Sequence, residues 1–491
     1  MVKIISNIVL ILSFISATVF AGTLKLPAIF SDNMILQRGQ KNPIWGEALP
    51  NSLVKIELNH QIIKTQSDNQ GKWNTFLPKA ELYKNYNLTI SNNSDTIVFS
   101  KIIAGDVYYA GGQSNMQFKL PKSEGGQEAL RISANDNIRF FNVPHAVAYT
   151  PQPDITKSAC ETPIDGRWVC SDSINAMHFS AVAYYFARKI YQQTKIPVGI
   201  INVSWGGTPI EAHSSMNVNE QFPDFEKQLE LMRTKSVSDT LKIDTKKETP
   251  QLPSSIYNAM IHPLIPYGLK GVLWYQGEHN WNFPIRYEKQ LTAFINDFRT
   301  NWNNKKLPFY VVQLPGIGLR DTIFRDYYWA VLRESQEKAV KNTRSNLCVT
   351  IDLGVVGNLH PTNKLEFGER LAQLALKRLY HKNVPSIYTY LKSYKIRNGK
   401  IILTFSNTII EKNESNSFSG ITVCGSDSIF KKAEINIIGR RVVVSHPQIS
   451  KPLAVRYAWR GNPVALLFDK NNMPVCPFRT DNFGTQTDGS W

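Results

Sequence analysis

The chain has 491 residues, of which 42% are hydrophobic, enough to bury a large core; at about 150 residues per domain the length suggests roughly two to four domains. Lys and Arg (56) exceed Asp and Glu (39), giving a formal charge of +17, yet the basic residues are scattered in short pairs such as Lys246 and Lys247 or Arg440 and Arg441. Without an arginine-rich arm or a basic helix, this pattern speaks against a nucleic-acid partner and for a solvated surface. Five cysteines are too few for a disulfide scaffold, and an odd count leaves at least one free thiol. In an oxidising compartment Cys160 and Cys170 are placed to close a short loop, which the sequence leaves undecided. There is no CxxC pair and no HExxH, and His279 beside Glu278 has no second histidine at helical spacing, so no metal or other cofactor is expected.

In chain order, the start MVKIISNIVLILSFISATVFAG pairs Lys3 with an apolar stretch from Ile8 to Ile15 and small or apolar residues at Val19 and Ala21. That is the pattern of a cleaved secretory signal over residues 1–21, and it predicts a secreted or periplasmic protein. Ser6, Asn7, Ser13, Ser16 and Thr18 interrupt the stretch, which argues against a membrane anchor, and no later segment is apolar enough to span a bilayer.

From Gly22 to Ala104 short strands and turns predict an all-β module: Val54, Ile56 and Leu58 alternate in VKIELN, and Trp73 sits in GKWNTFLP. From Gly105 the period changes. Strand-like runs (DVYYAG, PVGIINVS, KGVLWYQ, PFYVVQLP, LCVTIDLG) alternate with helical stretches such as FSAVAYYFARKIYQQ, YEKQLTAFINDFRTNW and KLEFGERLAQLALKRLY. This predicts an α/β domain over 105–383, a parallel sheet flanked by helices. Lys235 to Pro253 is polar, charged and aperiodic, a surface excursion within it. Strand patterns return in KIILTFS, RVVVSH and AVRYAW, so a second all-β module is expected over 384–491.

Ligands of an open parallel sheet gather outside the carboxyl ends of its strands. Here those ends carry Gly111, Gly112, Gln113 and Ser114; Ser204, Trp205, Gly206 and Gly207; Gln276, Gly277 and Glu278; and Asp352 running on to His360 and Pro361. A serine, backbone N–H groups beside glycines, a carboxamide, a carboxylate and a histidine then face one cleft, the set that acyl transfer requires. Each member has an ordinary alternative: Ser114 can cap a helix, Gly206 and Gly207 can form a tight turn, Gln276 and Glu278 can be internally bonded, and His360 can cap the helix after Pro361. His213, His262 and His279 compete as the base, but only His360 sits just before the last helix of the domain.

Ser114 is followed by Asn115 and Met116, not by the spacing of a G-x-S-x-G elbow. Instead GGQSNM, SWGGTPIEA, WYQGEHN and DLGVVGNLHPTNK, in that order, resemble the sialate O-acetylesterase family of SGNH-type serine esterases. IFSDNMILQR with PIWGEA, and AVRYAWRGNPVALLFDKNNMPVCPFRTD, resemble that family's β modules, so the likeness covers nearly the whole mature chain. The resemblance implies an SGNH-like fold and removal of O-acetyl groups from sugars or glycans, foremost 9-O-acetylated sialic acid, with acetylated xylan as the alternative. It implies Ser114 as nucleophile, His360 as general base, and an oxyanion hole from the Ser114 and Gly207 N–H groups with the Gln276 carboxamide. Trp205, Trp274 and Trp281 would offer faces to a sugar ring, and Asn115 would join Trp205 and Trp274 in binding substrate. The family's usual D-x-H-P is here Asn358, Leu359, His360, Pro361. The charge orienting the histidine therefore falls to Glu278 or Asp352, or is absent; Glu278, in an intact motif, is the favoured acid. A glycosidase using Glu278, or a non-catalytic carbohydrate-binding protein, remains open on sequence alone. Oligomeric state is unreadable from the sequence.

Overall fold

A computed structural model describes residues 24–235, 250–317, 323–385, 388–412 and 420–484. The expected signal segment and most of the excursion between Lys235 and Pro253 lie outside the described residues. Seven strands form the central path: β1 (Thr96–Gly112), β2 (Asn135–Asn142), β3 (Trp168–Ser171), β4 (Val198–Ser204), β5 (Gly271–Tyr275), β6 (Phe309–Val312) and β7 (Asn346–Cys348). Their order is β7-β6-β5-β1-β4-β2-β3, parallel throughout except that β3 runs against β2.

The helices that bear on the sheet and its site are α1 (Ser114–Gln117), α2 (Ala181–Thr194), α3 (Pro284–Asn301), α4 (Ile323–Asn342) and α5 (Lys364–Leu379). Helix α2 packs on α5, and α3 on α4. The two faces of β1 tell which helices cover which side: Tyr108 meets Phe186 of α2, and the next residue, Tyr109, meets Phe298 of α3. Successive strand residues point to opposite faces, so both sides of β1 are buried from Ile102 to Gly112, a run that is apolar or glycine-rich with few polar breaks.

β1 is also the seam of the molecule. Its first half pairs antiparallel with Asn85–Ser91, and its second half pairs parallel with β4 and β5. The expected boundary at Ala104 and Gly105 therefore falls inside one continuous strand, and the N-terminal module shares a sheet with the α/β domain. In that module Val54, Ile56 and Leu58 are buried as their alternation predicts, and Trp73 is 2% exposed between the layers. The C-terminal module builds separate antiparallel sheets, one from 391–397, 400–405, 441–445 and 434–438, with Ile401, Leu403, Phe405, Val442 and Val444 inward. Cys160 and Cys170 are separate free thiols. Among the described residues no helix is long and apolar enough to cross a membrane.

Candidate active site

The sheet changes winding direction at β1, because β4 lies on one side of it and β5 on the other, and such a switch point opens a crevice. Register brings the strand ends level: Gly112 pairs with Ser204 of β4 and with Tyr275 of β5. Gly112 has φ +137°, and a Cβ there would fall 2.0 Å from the Tyr275 carbonyl oxygen, so only glycine lets the chain turn this tightly out of the sheet. The turn places Ser114 as the first residue of α1, where its N–H has no acceptor within the helix.

Ser114 Oγ and His360 Nε2 lie 2.8 Å apart. The histidine arrives on the loop between β7 and α5, just before Pro361 and the Asn363 cap, whose side chain accepts from the Glu366 N–H. Burial, reinforced by the Lys364 ammonium, holds the imidazole below its ordinary pKa, which favours the neutral form a proton acceptor needs. The rival histidines are otherwise engaged. His213 is fully buried, bonded to Thr208 and pushed down to about 3, while His262 bonds the Gln152 carbonyl. His279 is exposed, with its backbone N–H on Gln113.

The loop after β4 runs alongside the serine: a Cβ on Gly206 would lie 3.3 Å from Ser114 Cβ. Gln117 pins this loop, its Oε1 accepting from the Gly206 N–H at 2.8 Å while its Nε2 meets His145 at 3.3 Å. Gly207, at φ +73°, has open space where a side chain would stand. Among the described residues no group accepts from the Ser114 or Gly207 N–H, so both remain free to meet a developing oxyanion.

Other expected members sit elsewhere. The Gln276 carboxamide is completely buried; its Nε2 donates to Gln113, Thr208 and Asn280, and its Oε1 accepts from Tyr287. It braces the strand ends and is not an oxyanion donor. Trp274 is 0% exposed, tilted on Phe294 and edge-on to His213, a core residue and not a sugar platform. Asn115 is also buried, so it cannot touch substrate; it bonds Glu278, Leu359 and Lys364. Trp205 does border the cleft, half-buried and stacked on His145 at 4.5 Å and 6°. Trp281 is half-buried against Tyr328.

None of the three candidate orienting groups bonds the imidazole. Asp352 is held by Arg370 through two bonds of 2.7 Å. Asn358 Oδ1 accepts from the His360 backbone N–H at 2.8 Å. Glu278 Oε1 accepts from Asn115 at 2.6 Å, and its Oε2 is buried without a partner. Burial lifts the Glu278 carboxyl above the usual carboxylate range, against the Asn115 bond and the Lys364 charge. Gln117, His145 and Lys364 went unassigned in the sequence, although Lys364 stands in the same NLHPTNK run as His360. Among the described residues no cluster of three or more His, Cys, Asp or Glu is placed to hold a metal ion.

A serine hydroxyl bonded to an imidazole, above the carboxyl edge of a helix-flanked parallel sheet, is the arrangement of a serine hydrolase. The chain belongs to the family described as carbohydrate esterase, sialic acid-specific acetylesterase, whose model matches residues 104–377. It is similar to the sialate O-acetylesterases of Mus musculus and Homo sapiens, at 26% identity to each over 92% of this chain and 93% and 92% of theirs. It is also similar to a carbohydrate acetylesterase of Xanthomonas citri, whose crystal structure superposes with a TM-score of 0.83 at 32% identity, covering 94% of this chain and all of that one. The protein is a carboxylic ester hydrolase acting on O-acetylated sugars.

Proposed function

We propose that the protein removes O-acetyl groups from sialic acid, foremost at the 9-position, with Ser114 as nucleophile and His360 as general base. The observation that carries the reading is the 2.8 Å contact between Ser114 Oγ and His360 Nε2 beside two free backbone N–H groups. Ser114 Oγ attacks the acetyl carbonyl as His360 Nε2 takes its proton, and the N–H groups of Ser114 and Gly207 receive the negative oxygen. Collapse expels the sugar oxygen, which takes the proton from the imidazolium, and the acetyl group stays on Ser114 as an ester. Water, deprotonated by the same imidazole, then attacks that ester and acetate leaves with Ser114 reprotonated. Trp205, made rigid by its stack on His145, supplies an apolar face for the sugar. The Lys3 to Ala21 pattern supports export of the mature enzyme to the periplasm or medium, with its N-terminus near Gly22.

The test is acetate release from 9-O-acetylated sialic acid, acetylated xylan and an aryl acetate by the parent and by Ser114→Ala. The parent is expected to prefer the sialic acid, and Ser114→Ala to lose about 10⁶ in turnover on every substrate. Preference for xylan replaces the substrate and keeps the chemistry. A Ser114→Ala enzyme with a tenth of the parent rate ends the serine reading.

A further inference from the structure

Directly beneath Ser114 lies a set of polar side chains that the acyl-transfer scheme leaves unused. Asn115, Glu278 and Lys364 are 1%, 5% and 0% exposed. They come from three separate places: the first turn of α1, the loop after β5 and the first residue of α5. Lys364 Nζ donates to Asn115 Oδ1 at 2.5 Å, and Asn115 Nδ2 donates to Glu278 Oε1 at 2.6 Å and to the Leu359 carbonyl at 3.0 Å. Asn115 directly follows Ser114, and Leu359 directly precedes His360. One carboxamide therefore ties the histidine loop to the serine turn.

A carboxamide accepts at one end and donates at the other, so it makes these bonds in only one of its two flipped orientations. An ammonium has donors and no acceptor. Facing it, Asn115 must present its oxygen to Lys364, which turns the NH₂ toward Glu278 and Leu359. We propose that Lys364 is a positioning residue for ester hydrolysis, acting through Asn115 to hold the His360 loop within hydrogen-bond reach of Ser114. The inference rests on Ser114 and His360 being the reacting pair.

The proposal carries a pH signature. Lys364 is enclosed by the rings of Phe118, Tyr275 and Phe367, at 4.9, 5.6 and 5.2 Å. The titratable groups that face it are Glu278 on the loop after β5, Tyr275 on β5, and His360 on the loop before α5. Burial pushes its ammonium down to about 7, with Glu278 opposing the shift. Above that pH Lys364 becomes a neutral amine, and the charge-assisted bond that holds Asn115 Oδ1, and through Asn115 the His360 loop, weakens to an ordinary one. Turnover then falls as pH rises through the neutral range. Stability moves the other way: a lysine whose folded pKa lies below its unfolded value leaves the unfolded chain holding more protons, so its contribution rises with pH between about 7 and 10.4.

The experiment measures kcat and KM of the full chain on an aryl acetate from about pH 5 to 9, for the parent, Lys364→Met and Glu278→Gln, with Ser114→Ala as the blank. The parent is expected to show an alkaline limb. Lys364→Met should lower kcat about 10- to 100-fold below that limb with KM nearly unchanged, the scale of a small misplacement of reacting groups, and should lack the limb. Glu278→Gln should move the limb to lower pH, because the carboxylate is what holds the ammonium charged. Parent-like kcat in Lys364→Met, or an unaltered alkaline limb in that variant, overturns the proposal. Should Lys364→Met not fold, the limb in Glu278→Gln decides, and a limb at the parent's pH, or none in the parent, overturns it. An inactive Ser114→Ala beside a fully active Lys364→Met removes this inference alone, whereas an active Ser114→Ala removes the serine reading and the inference with it.

Discussion

Asp352 and Glu278 both follow strands of the same sheet, β7 and β5, and both end near the histidine loop, yet their surroundings are opposite. Asp352 uses both oxygens on the guanidinium of Arg370, which is itself 4% exposed and also donates to the Val349 carbonyl and Glu366. Glu278 uses one oxygen on a neutral carboxamide and leaves the other buried without a partner. A matched bidentate pair fixes where a loop begins. A half-satisfied carboxylate beneath Ser114 costs stability, and the neighbours it acts on are Asn115, through a hydrogen bond, and Lys364, through its charge. Proximity to the histidine does not distinguish the two, but the accounting of their hydrogen bonds does.

The isosteric changes Asp352→Asn and Glu278→Gln should therefore separate stability from turnover. Asp352→Asn leaves the buried Arg370 with Glu366 as its remaining counter-charge, and losing the bidentate carboxylate costs about 2 kcal/mol. Denaturant unfolding should show that loss, while the folded enzyme keeps a turnover within about threefold of the parent. The contrast breaks if turnover collapses in a folded Asp352→Asn, since Asp352 would then be acting on His360.

Glu278→Gln should show the reverse, a smaller loss of stability and a fall in turnover of roughly tenfold or more, because a misplaced reacting pair is costly at small displacements. Glu278 is joined to Lys364 through Asn115, so no direct ion pair is lost. Melting temperature and kcat on one sample of each variant check both halves. Equal stability loss in the two variants, with equal turnover, erases the distinction.

This contrast also marks how far the sequence reaches. That Ser114 and His360 face one cleft was legible because a strand-ending glycine turn and a loop before the last helix both lie at the carboxyl edge of a parallel sheet, and the structure brings the two side chains to 2.8 Å. The alternating apolar positions at Val54, Ile56 and Leu58, and again at Ile401 and Leu403, made the flanking β modules legible for the same local reason. Gln276 and Trp274 were misread because every residue of β5 is buried, so its pattern gives no sign of which end or face meets the cleft. Asn115 was misread because a residue beside a nucleophile points away from the cleft once the chain enters a helical turn. The continuity of the N-terminal module with the α/β sheet was invisible because β1 stays extended across Ala104 and Gly105 and only its partners change. Strands β2 and β3 and helix α4 carried no pattern strong enough to be singled out, and Lys364 had no signal apart from its place in NLHPTNK.

The smallest expected effect concerns Asn358, which stands where the family usually has aspartate. Its Oδ1 accepts from the His360 backbone N–H, fixing the turn and not the ring. In Asn358→Asp one carboxylate oxygen inherits that bond, so the loop should keep its shape and maximal turnover should change by less than about threefold. The new negative charge beside the imidazole favours the imidazolium and raises the pKa of His360, which burial and Lys364 now hold low. Since the base must be neutral, the acidic limb of the rate profile should move to higher pH, and the variant should be slower than the parent in mild acid. A plateau rate at least tenfold above the parent's would mean that the carboxylate has left the backbone for the ring and restored an orienting acid. The parent would then be an impaired esterase, and Glu278, like Asp352, would belong to the scaffold.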